Sequence, residues 1–298
     1  MIEHRVDAAK AVPAKAPGQR QKPDRTEEPD WGEAYRVYRL LQEIVLAWQA
    51  ENASNFRGPR RRPAADVREE YDDLRCEPES RAKSRVEAEE DRNGAAERPY
   101  FTLDRLPEKS VIELWHQLDA ASGQQCGSEE TVRRFEQFKA TGTLTEADML
   151  GRLRLAFAGV ARLARRQYSA EELEAAGHRW PRPICPVCGE QSPLSLVLPP
   201  VGKRHLFCRV CGHEWAGKRV SCILCGSELA KDQTYLRSES YPGVEIVICQ
   251  TCGEYFKEFD ARERWVDDWV WEDIRTLPLD YAAEKWLADL RRKDGNRH

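Results

Sequence analysis

Apolar residues recur at helical spacing through the first half of the chain. One run begins after Asp30 and consists of Ala34, Tyr38, Leu41, Val45 and Trp48. Runs of the same period lie near residues 110–118, 132–138 and 150–163, and this period is typical of amphipathic helices. Asp30 with Glu33, and Ser110 with Glu113, have the spacing of capping boxes at helix starts. Ser169 and Glu172 are expected to start a last short helical stretch. The pattern predicts an all-helical domain over residues 30–178.

The pattern changes at residues 180–183, where Pro181 and Pro183 occur. Proline lacks an amide donor and restricts the residue before it, so the last helix must end here. Beyond this point, short apolar runs interrupted by glycine and cysteine predict strands at residues 194–198, 204–207, 234–236 and 244–248. Helical spacing returns after Asp267 and continues through Leu277, Tyr281, Trp286 and Leu290. The sequence therefore predicts an α+β protein.

Two segments lack such periodicity. Residues 1–29 are charged and rich in proline and alanine, which predicts a disordered tail. Residues 51–98 carry mixed charge and few large apolar side chains, so we expect a charged insertion in the helical domain. Its arginines at positions 57, 60, 61 and 62 fit a solvated loop better than an RNA contact.

Composition narrows the class of protein. The chain has 298 residues, of which 41% are hydrophobic and 33% charged, and its formal net charge is -4. A molecule with this balance is not a polycation drawn as a whole to nucleic acid or anionic lipid. The sequence contains no apolar run of about 18 residues and no secretory signal, so we expect a cytoplasmic protein without a membrane span.

Cysteine provides the clearest chemistry. Eight of the ten cysteines form four C-x-x-C-G motifs, at Cys185 and Cys188, Cys208 and Cys211, Cys222 and Cys225, and Cys249 and Cys252. Paired thiols at this spacing in a reducing compartment indicate metal binding rather than disulfides. The glycine after each pair allows a turn with positive φ, which directs backbone N–H groups at the sulfurs.

Tetrahedral metal sites need four ligands, so two motifs make one site. Sequential pairing places the first site in a ribbon at residues 183–218 and the second in a ribbon at 219–262, with a helical segment at 263–298. Spacing alone also permits an interleaved pairing. We expect two ions, iron or zinc, since thiolates accept both. Cys76 and Cys126 are predicted to be free thiols, and His205 and His213 to lie outside the ligand sets.

Two alternatives for the cysteines and two for the function remain at this stage. A thioredoxin-like motif uses a single C-x-x-C after a strand, a context that is missing here, and iron–sulfur ligands are usually unevenly spaced. A zinc-ribbon protein that binds nucleic acid is the third possibility, with an iron-based redox protein beside it. Four protein ligands leave no open coordination position, and no catalytic motif is present, so we predict that the chain is not an enzyme.

The charges of the two ribbons differ in sign. Residues 203–219 contain five lysines and arginines against one acid, whereas residues 239–260 contain five acids against one lysine. Two surfaces of opposite sign suit a protein partner better than nucleic acid. We expect Arg204, Trp215 and Arg219 of the basic ribbon to contact that partner. The sequence leaves the oligomeric state open.

The stretch from Pro183 to Asp280 resembles the formate dehydrogenase accessory protein family, FdhE. The matching elements are residues 185–189, 204–208, Cys211, Glu214-Trp215, Arg219, Cys222, Cys225, Cys249, Cys252-Gly253 and 276–280. The resemblance implies a helical N-terminal domain followed by two rubredoxin-like ribbons, with iron among the metals bound. It also implies a role in maturing formate dehydrogenase through contact with its catalytic subunit in the cytoplasm.

Overall fold

The protein is described by a computed structural model over residues 2–5, 32–59, 99–124, 127–144, 147–178, 180, 184–191 and 193–295. Its N-terminal helices are α1 (Gly32–Asn52), α2 (Glu108–Ala121), α3 (Ser128–Thr141), α4 (Ala147–Arg165) and α5 (Ala170–Gly177), with a 3-10 turn at Leu103–Arg105. The helical region expected from the apolar periodicity is thus confirmed. None of the helices in these ranges is long and apolar enough to cross a bilayer.

The helix start predicted at Ser169 is confirmed, and the structure adds a capping box there that was not predicted. The Ser169 hydroxyl accepts from the Glu172 amide, and the Glu172 carboxylate accepts from the Ser169 amide. Asp30, the first residue of one predicted box, lies outside the described residues. The box predicted at Ser110 and Glu113 is wrong, since α2 begins at Glu108 with Pro107 in the N-cap position. The φ of proline is already fixed near the helical value, and its missing amide removes one unpaired donor from the helix start.

The helical core forms where α4 crosses α1 and α2. Gly159 of α4 permits the close approach, because a Cβ there would lie 2.6 Å from Leu114 Cδ2 and 2.9 Å from Val45 Cγ1. The buried Gln49 side chain donates to the Gly159 carbonyl at 2.7 Å. These contacts fix the close packing of the three helices, as is usual in protein interiors.

Part of the predicted insertion is ordered by the helical domain. Residues 51–98 were expected to form one charged segment, but α1 continues to Asn52 and the chain packs as far as residue 59. Phe56 is buried, and Gly58 N donates to Gln167 Oε1 at 3.0 Å. Burial of one aromatic side chain anchors this stretch against α4. Residues 60–98, including Cys76, lie outside the described residues.

The C-terminal half contains one sheet rather than two separate ribbons. Its strands are β1 (Ile2–Arg5), β2 (Pro193–Leu198), β3 (Lys203–Cys208), β4 (Glu214–Ala216), β5 (Gln233–Arg237), β6 (Val244–Cys249) and β7 (Glu254–Asp260), in the order β1-β5-β6-β7-β2-β3-β4. Each ribbon forms an antiparallel unit, and a parallel pairing of β2 with β7 joins the two units. The metal-site hairpins therefore share a continuous backbone ladder.

Strand β1 differs from the prediction of a disordered tail over residues 1–29. It pairs in parallel with β5, with Ile2 opposite Thr234 and Arg5 opposite Arg237. An open sheet edge offers unpaired amide and carbonyl groups, and a short segment of the same chain can add to it. The tail residues 6–29, and residue 1, lie outside the described part of the chain.

The two faces of the sheet pack against different elements. Helices α6 (Trp269–Arg275) and α7 (Leu277–Gly295) cover one face, where Leu279, Ala283 and Leu287 meet Ile246 and Phe259. On the opposite face, Leu206, Val247 and Phe256 belong to the core of the helical domain. Successive side chains of a strand point to opposite faces, and β3, β5, β6 and β7 each contribute side chains to both cores. The sheet is thus buried between the N-terminal and C-terminal helices.

Candidate metal centres

The first centre lies between the helical domain and the sheet. Two loops supply its sulfurs, one before β2 and one after β3, so that the β2–β3 hairpin brings them together. The Sγ atoms of Cys185 and Cys211 are 3.6 Å apart, and those of Cys188 and Cys208 are 3.5 Å apart. All four cysteines are at most 1% exposed. The group is closed to solvent on every side.

The second centre has the same construction in the second antiparallel unit. One loop, with Cys222 and Cys225, precedes a 3-10 turn at Ala230–Asp232. The other, with Cys249 and Cys252, lies at the end of β6. The Sγ atoms of Cys222 and Cys252 are 3.8 Å apart, as are those of Cys225 and Cys249. Cys225 is exposed and Cys252 half-buried. This centre therefore lies at the surface, whereas the first lies in the core.

Backbone geometry explains the glycine that follows each motif. Gly189, Gly212, Gly226 and Gly253 all have φ between 71° and 76°, a region that side chains with a Cβ rarely adopt. Two of the turns also direct an amide at sulfur: Val187 N donates to the Cys185 sulfur and Leu224 N donates to the Cys222 sulfur, both at 3.4 Å. The predicted glycine-dependent turns are confirmed at all four motifs, and amides aimed at sulfur are observed at these two.

The sulfur geometry fits a tetrahedral ion. Four sulfurs about 2.3 Å from a central metal form a tetrahedron with edges of about 3.8 Å, close to the observed 3.5–3.8 Å. These separations are far longer than the roughly 2 Å of a disulfide. The sulfurs of each set lie within 4.8 Å of one another, so the cysteines group sequentially and not in the interleaved way. That all eight bind metal stays a prediction, and Cys126, like Cys76, lies outside the described residues.

Crowding of the thiols drives their pKa values apart. Hydrogen bonding with Cys252 lowers the pKa of Cys222 to about 5, while burial raises the pKa of Cys225 to about 11. In the first centre, burial raises the pKa of Cys185, and the hydrogen bond with Cys185 lowers that of Cys208. Four sulfurs this close cannot all be anionic without a compensating cation, because like charges oppose ionisation. The donor set therefore fits iron or zinc.

Helix α4 anchors the first centre to the helical domain. Arg165 Nε donates to the Cys211 carbonyl at 2.8 Å, and Arg162 Nε donates to the Val210 carbonyl at 3.2 Å. On the other loop, Phe101 N donates to the Val187 carbonyl at 2.9 Å. These anchoring hydrogen bonds were not predicted from the sequence. The available signal was two arginines in the last turn of α4, which in isolation indicates only a favourable interaction with the helix dipole.

The two histidines near the motifs do not join the sulfur groups. His213 is buried, and its carbonyl accepts from Cys208 N at 2.8 Å. Burial, with a smaller effect of the Arg165 charge, lowers the pKa of His213 to about 4, so the ring is neutral near pH 7. His205 Nδ1 lies 2.7 Å from Glu214 Oε1 at the surface. The placement of both agrees with the expected roles outside the ligand sets.

The three expected partner-binding residues differ in their exposure to solvent. Arg204 is 3% exposed and its Nη2 lies 2.5 Å from Glu258 Oε2. Trp215 is 4% exposed, and its ring stacks on that of His213 with centroids 5.7 Å apart. Only Arg219 is exposed. Partner binding by these residues stays a prediction, and the observed contacts give Arg204 and Trp215 a packing role.

A helical domain joined to a sheet with two four-cysteine groups that could each hold a metal ion defines a class of cysteine-ribbon protein without a recognisable catalytic site among the described residues. No family model matches the chain. Protein FdhE homolog of Aquifex aeolicus is 30% identical over 119 residues, which are 39% of this chain and 42% of the relative. Protein FdhE homolog of Rhizobium meliloti is 29% identical over 101 residues, 33% of each protein. The matched region spans less than half the length of these curated relatives.

The fold similarity extends further than the sequence similarity. The crystal structure of the FdhE protein from Pseudomonas aeruginosa matches with a TM-score of 0.51 and 18% identity, covering 85% of this chain and 90% of that chain. The chain is thus similar to proteins named FdhE in sequence over 33–39% of its length, and to an FdhE crystal structure in fold over 85% of it.

Proposed function

We propose that the chain is an accessory factor for the maturation of formate dehydrogenase and binds the catalytic subunit of that enzyme in the cytoplasm. The supporting observation is the combination of about 30% identity to proteins named FdhE with an FdhE-like fold over 85% of the chain. The family resemblance connects such proteins with formate dehydrogenase. The chain would act by binding rather than by catalysis.

The two centres support this function structurally. A set of four cysteine ligands saturates a tetrahedral ion and leaves no position for substrate. Metal binding at such sites provides folding free energy of roughly 10 kcal/mol or more. Both centres lie at the ends of sheet hairpins, so bound iron or zinc would hold the loops that flank the sheet in place. Iron would add a redox couple that zinc lacks.

Intramolecular ion pairs disfavour nucleic acid as the ligand. In the basic ribbon, Arg204 pairs with Glu258, and Arg209 Nη1 lies 2.6 Å from Asp273 Oδ2. Lys218 also pairs, with the exposed Glu228. Phosphate binding requires uncompensated cations along one surface, and these pairs leave few. A protein surface fits the remaining mixed charge better.

A pull-down tests the proposal. The full-length chain, purified with its metal, is immobilised and presented with the formate dehydrogenase catalytic subunit from the same organism. We expect retention of the subunit, and loss of retention when the metal is removed by chelation. A Lys285→Gln variant, changed at an exposed position of α7, serves as the matched control and should bind normally.

The outcomes separate the proposed function from the alternatives. Failure of the metal-loaded chain to retain the subunit contradicts an assembly role. A gel shift with DNA or RNA that weakens steeply with salt would instead support nucleic-acid binding. A visible spectrum of the rubredoxin type that bleaches reversibly, with no subunit binding, would support an iron redox protein.

A further inference from the structure

A small cleft lies at the tip of the β2–β3 hairpin, and none of the eight cysteines lines it. Residues 201–205 form one side, and Ala216, Gly217 and Arg219 form the other. Its volume is about 200 Å³, enough for a carboxylate group and part of the side chain that carries it. Neither four-cysteine group includes a residue of this surface.

Cationic side chains surround the mouth of the cleft. Lys203 is exposed and forms no ion pair within the described part of the chain. Arg219 is also exposed and donates through Nη1 to the Gly202 carbonyl. A guanidinium has five N–H donors in a planar fork, so this single bond leaves Arg219 donors for a second acceptor. Two cations with incomplete compensation therefore lie along one short segment.

Gly202 leaves room for the cations to converge. It has φ of +70°, and a Cβ built on it would lie 2.7 Å from Arg219 Nη1 and 2.6 Å from Arg262 Nη1. Both guanidinium groups thus reach the same point above the glycine. Asp260 neutralises Arg262, because Arg262 Nε donates to Asp260 Oδ1 at 2.8 Å. Among the described residues, no acidic side chain pairs with Arg219 or Lys203, and like charges held together favour an incoming anion.

Apolar side chains flank these cations. Val201 is 66% exposed and Val220 is 45% exposed. Valines presented beside lysine and arginine match a peptide that carries an apolar residue next to an acidic one. A free inorganic anion would use the cations but gain nothing from the valines, since only apolar groups benefit from burial against them.

We propose that this cleft binds an acidic segment of the partner protein, with Lys203 and Arg219 holding a carboxylate and Val201 contacting an adjacent apolar side chain. The proposal rests on the proposed function and gives it a docking surface. Charge-assisted bonds of this kind are short and direct, and guanidinium groups bind carboxylates in a bidentate geometry. The same cations should also accelerate encounter with an acidic surface.

The test uses the full-length, metal-loaded chain. Lys203→Gln and Arg219→Gln, singly and together, are compared with the wild type and with Lys285→Gln as a charge-matched control. Binding is measured to the catalytic subunit by surface plasmon resonance, and to a fluorescent peptide of alternating glutamate and leucine by anisotropy. We expect the double variant to bind both at least about tenfold more weakly, with Lys285→Gln close to the wild type. Metal content and circular dichroism should not change.

Each outcome decides the proposal. Equal subunit binding by the double variant and the control overturns the cleft while leaving the proposed function intact. If the wild type binds no subunit, the proposed function fails, and the peptide decides the cleft: binding that the double variant loses supports it, and equal binding overturns it. Acetate that competes with the peptide as well as a glutamate–leucine dipeptide does would indicate a site for free carboxylates and would also overturn the proposed segment.

Discussion

Removal of the charge on Glu258 should destabilise the whole C-terminal half. Glu258 of β7 forms a buried ion pair with Arg204 of β3, with Nη2 and Oε2 2.5 Å apart. Ser195 of β2 donates its hydroxyl to the same carboxylate at 2.7 Å. The three strands belong to both antiparallel units, so one carboxylate connects them. The perturbation is Glu258→Gln, which preserves the shape of the side chain and removes its charge.

The expected loss is about 3 kcal/mol. Removal of one partner from a buried ion pair typically costs about 3–5 kcal/mol, because the other charge stays buried without compensation. Two features place the expected loss for Glu258→Gln at the lower end of this energy range. Arg204 Nη1 still donates to the Ser221 carbonyl at 2.7 Å and to the Lys218 carbonyl at 3.2 Å. The glutamine carbonyl also still accepts a hydrogen bond from Arg204.

A matched surface pair provides the control. Lys218 and Glu228 form an ion pair whose side chains are 71% and 60% exposed. Exposed pairs contribute at most about 1 kcal/mol, because water and salt screen them. Glu228→Gln should therefore change stability by less than about 1 kcal/mol. Both variants carry the same chemical change, so the difference between them isolates burial.

The assay is urea unfolding at saturating metal, followed by tryptophan fluorescence. The free energy of unfolding is obtained from the midpoint and slope, and an unchanged slope indicates that the exposed surface has not changed. A Glu258→Gln loss no larger than that of Glu228→Gln would refute the assignment of the pair as a structural link. Weaker binding of the catalytic subunit without any loss of stability would instead support a direct partner contact by Arg204.

Further outcomes follow from the same structure. Cys185→Ser and Cys249→Ser should each lose one metal equivalent, whereas Cys76→Ser should lose none. The metal content is measured by elemental analysis, and a full metal content in Cys185→Ser or Cys249→Ser would contradict the ligand assignment. A colorimetric chelator should remove metal in two equal phases, the exposed second centre first, and a single phase would contradict this difference in access. Gly159→Ala should lower the free energy of unfolding by about 1–3 kcal/mol, because the new methyl group would overpack Leu114 and Val45. Gly151→Ala lies in the same helix with open space around it, so it should raise the free energy of unfolding by up to about 1 kcal/mol. Melting temperatures that shift in the same direction for both variants would contradict this packing.

Local sequence rules were sufficient where the chemistry is local. Helical periodicity, the C-x-x-C-G loops and the helix start at Ser169 depend on residues a few positions apart, and all were predictable. Strands β2, β3, β5 and β6 were predictable for the same reason, whereas β4 and β7 were not predicted. Sequential grouping of the cysteines agreed with the simpler chain path, since each hairpin returns one loop to the other.

Long-range pairing explains what the sequence did not reveal. Strand β7 reads EYFKEFD, and its Lys257 and Glu258 are buried, whereas charged residues usually indicate an exposed segment. Their burial is possible because partners come from distant elements: Lys257 Nζ lies 2.6 Å from both Asp273 Oδ1 and Asp280 Oδ2. No pattern within β7 identifies those acids. The parallel pairing of β2 with β7, which joins the units, is hidden for the same reason.

The position of the first centre connects metal binding with the arrangement of the two halves. Its four cysteines belong to the same core as Trp115 and Leu163 of the helical domain, and Arg165 bonds directly to the Cys211 carbonyl. The loop with Cys208 and Cys211, which the metal would hold, is therefore the same loop that accepts hydrogen bonds from Arg162 and Arg165 of α4. Loss of that metal would release both the sulfur cluster and the contact between helices and sheet. In the second centre, Cys222 and Cys249 belong to the same core, but Cys225 is exposed and no comparable anchor from α4 occurs among the described residues, so loss of its metal should release fewer contacts with the helices.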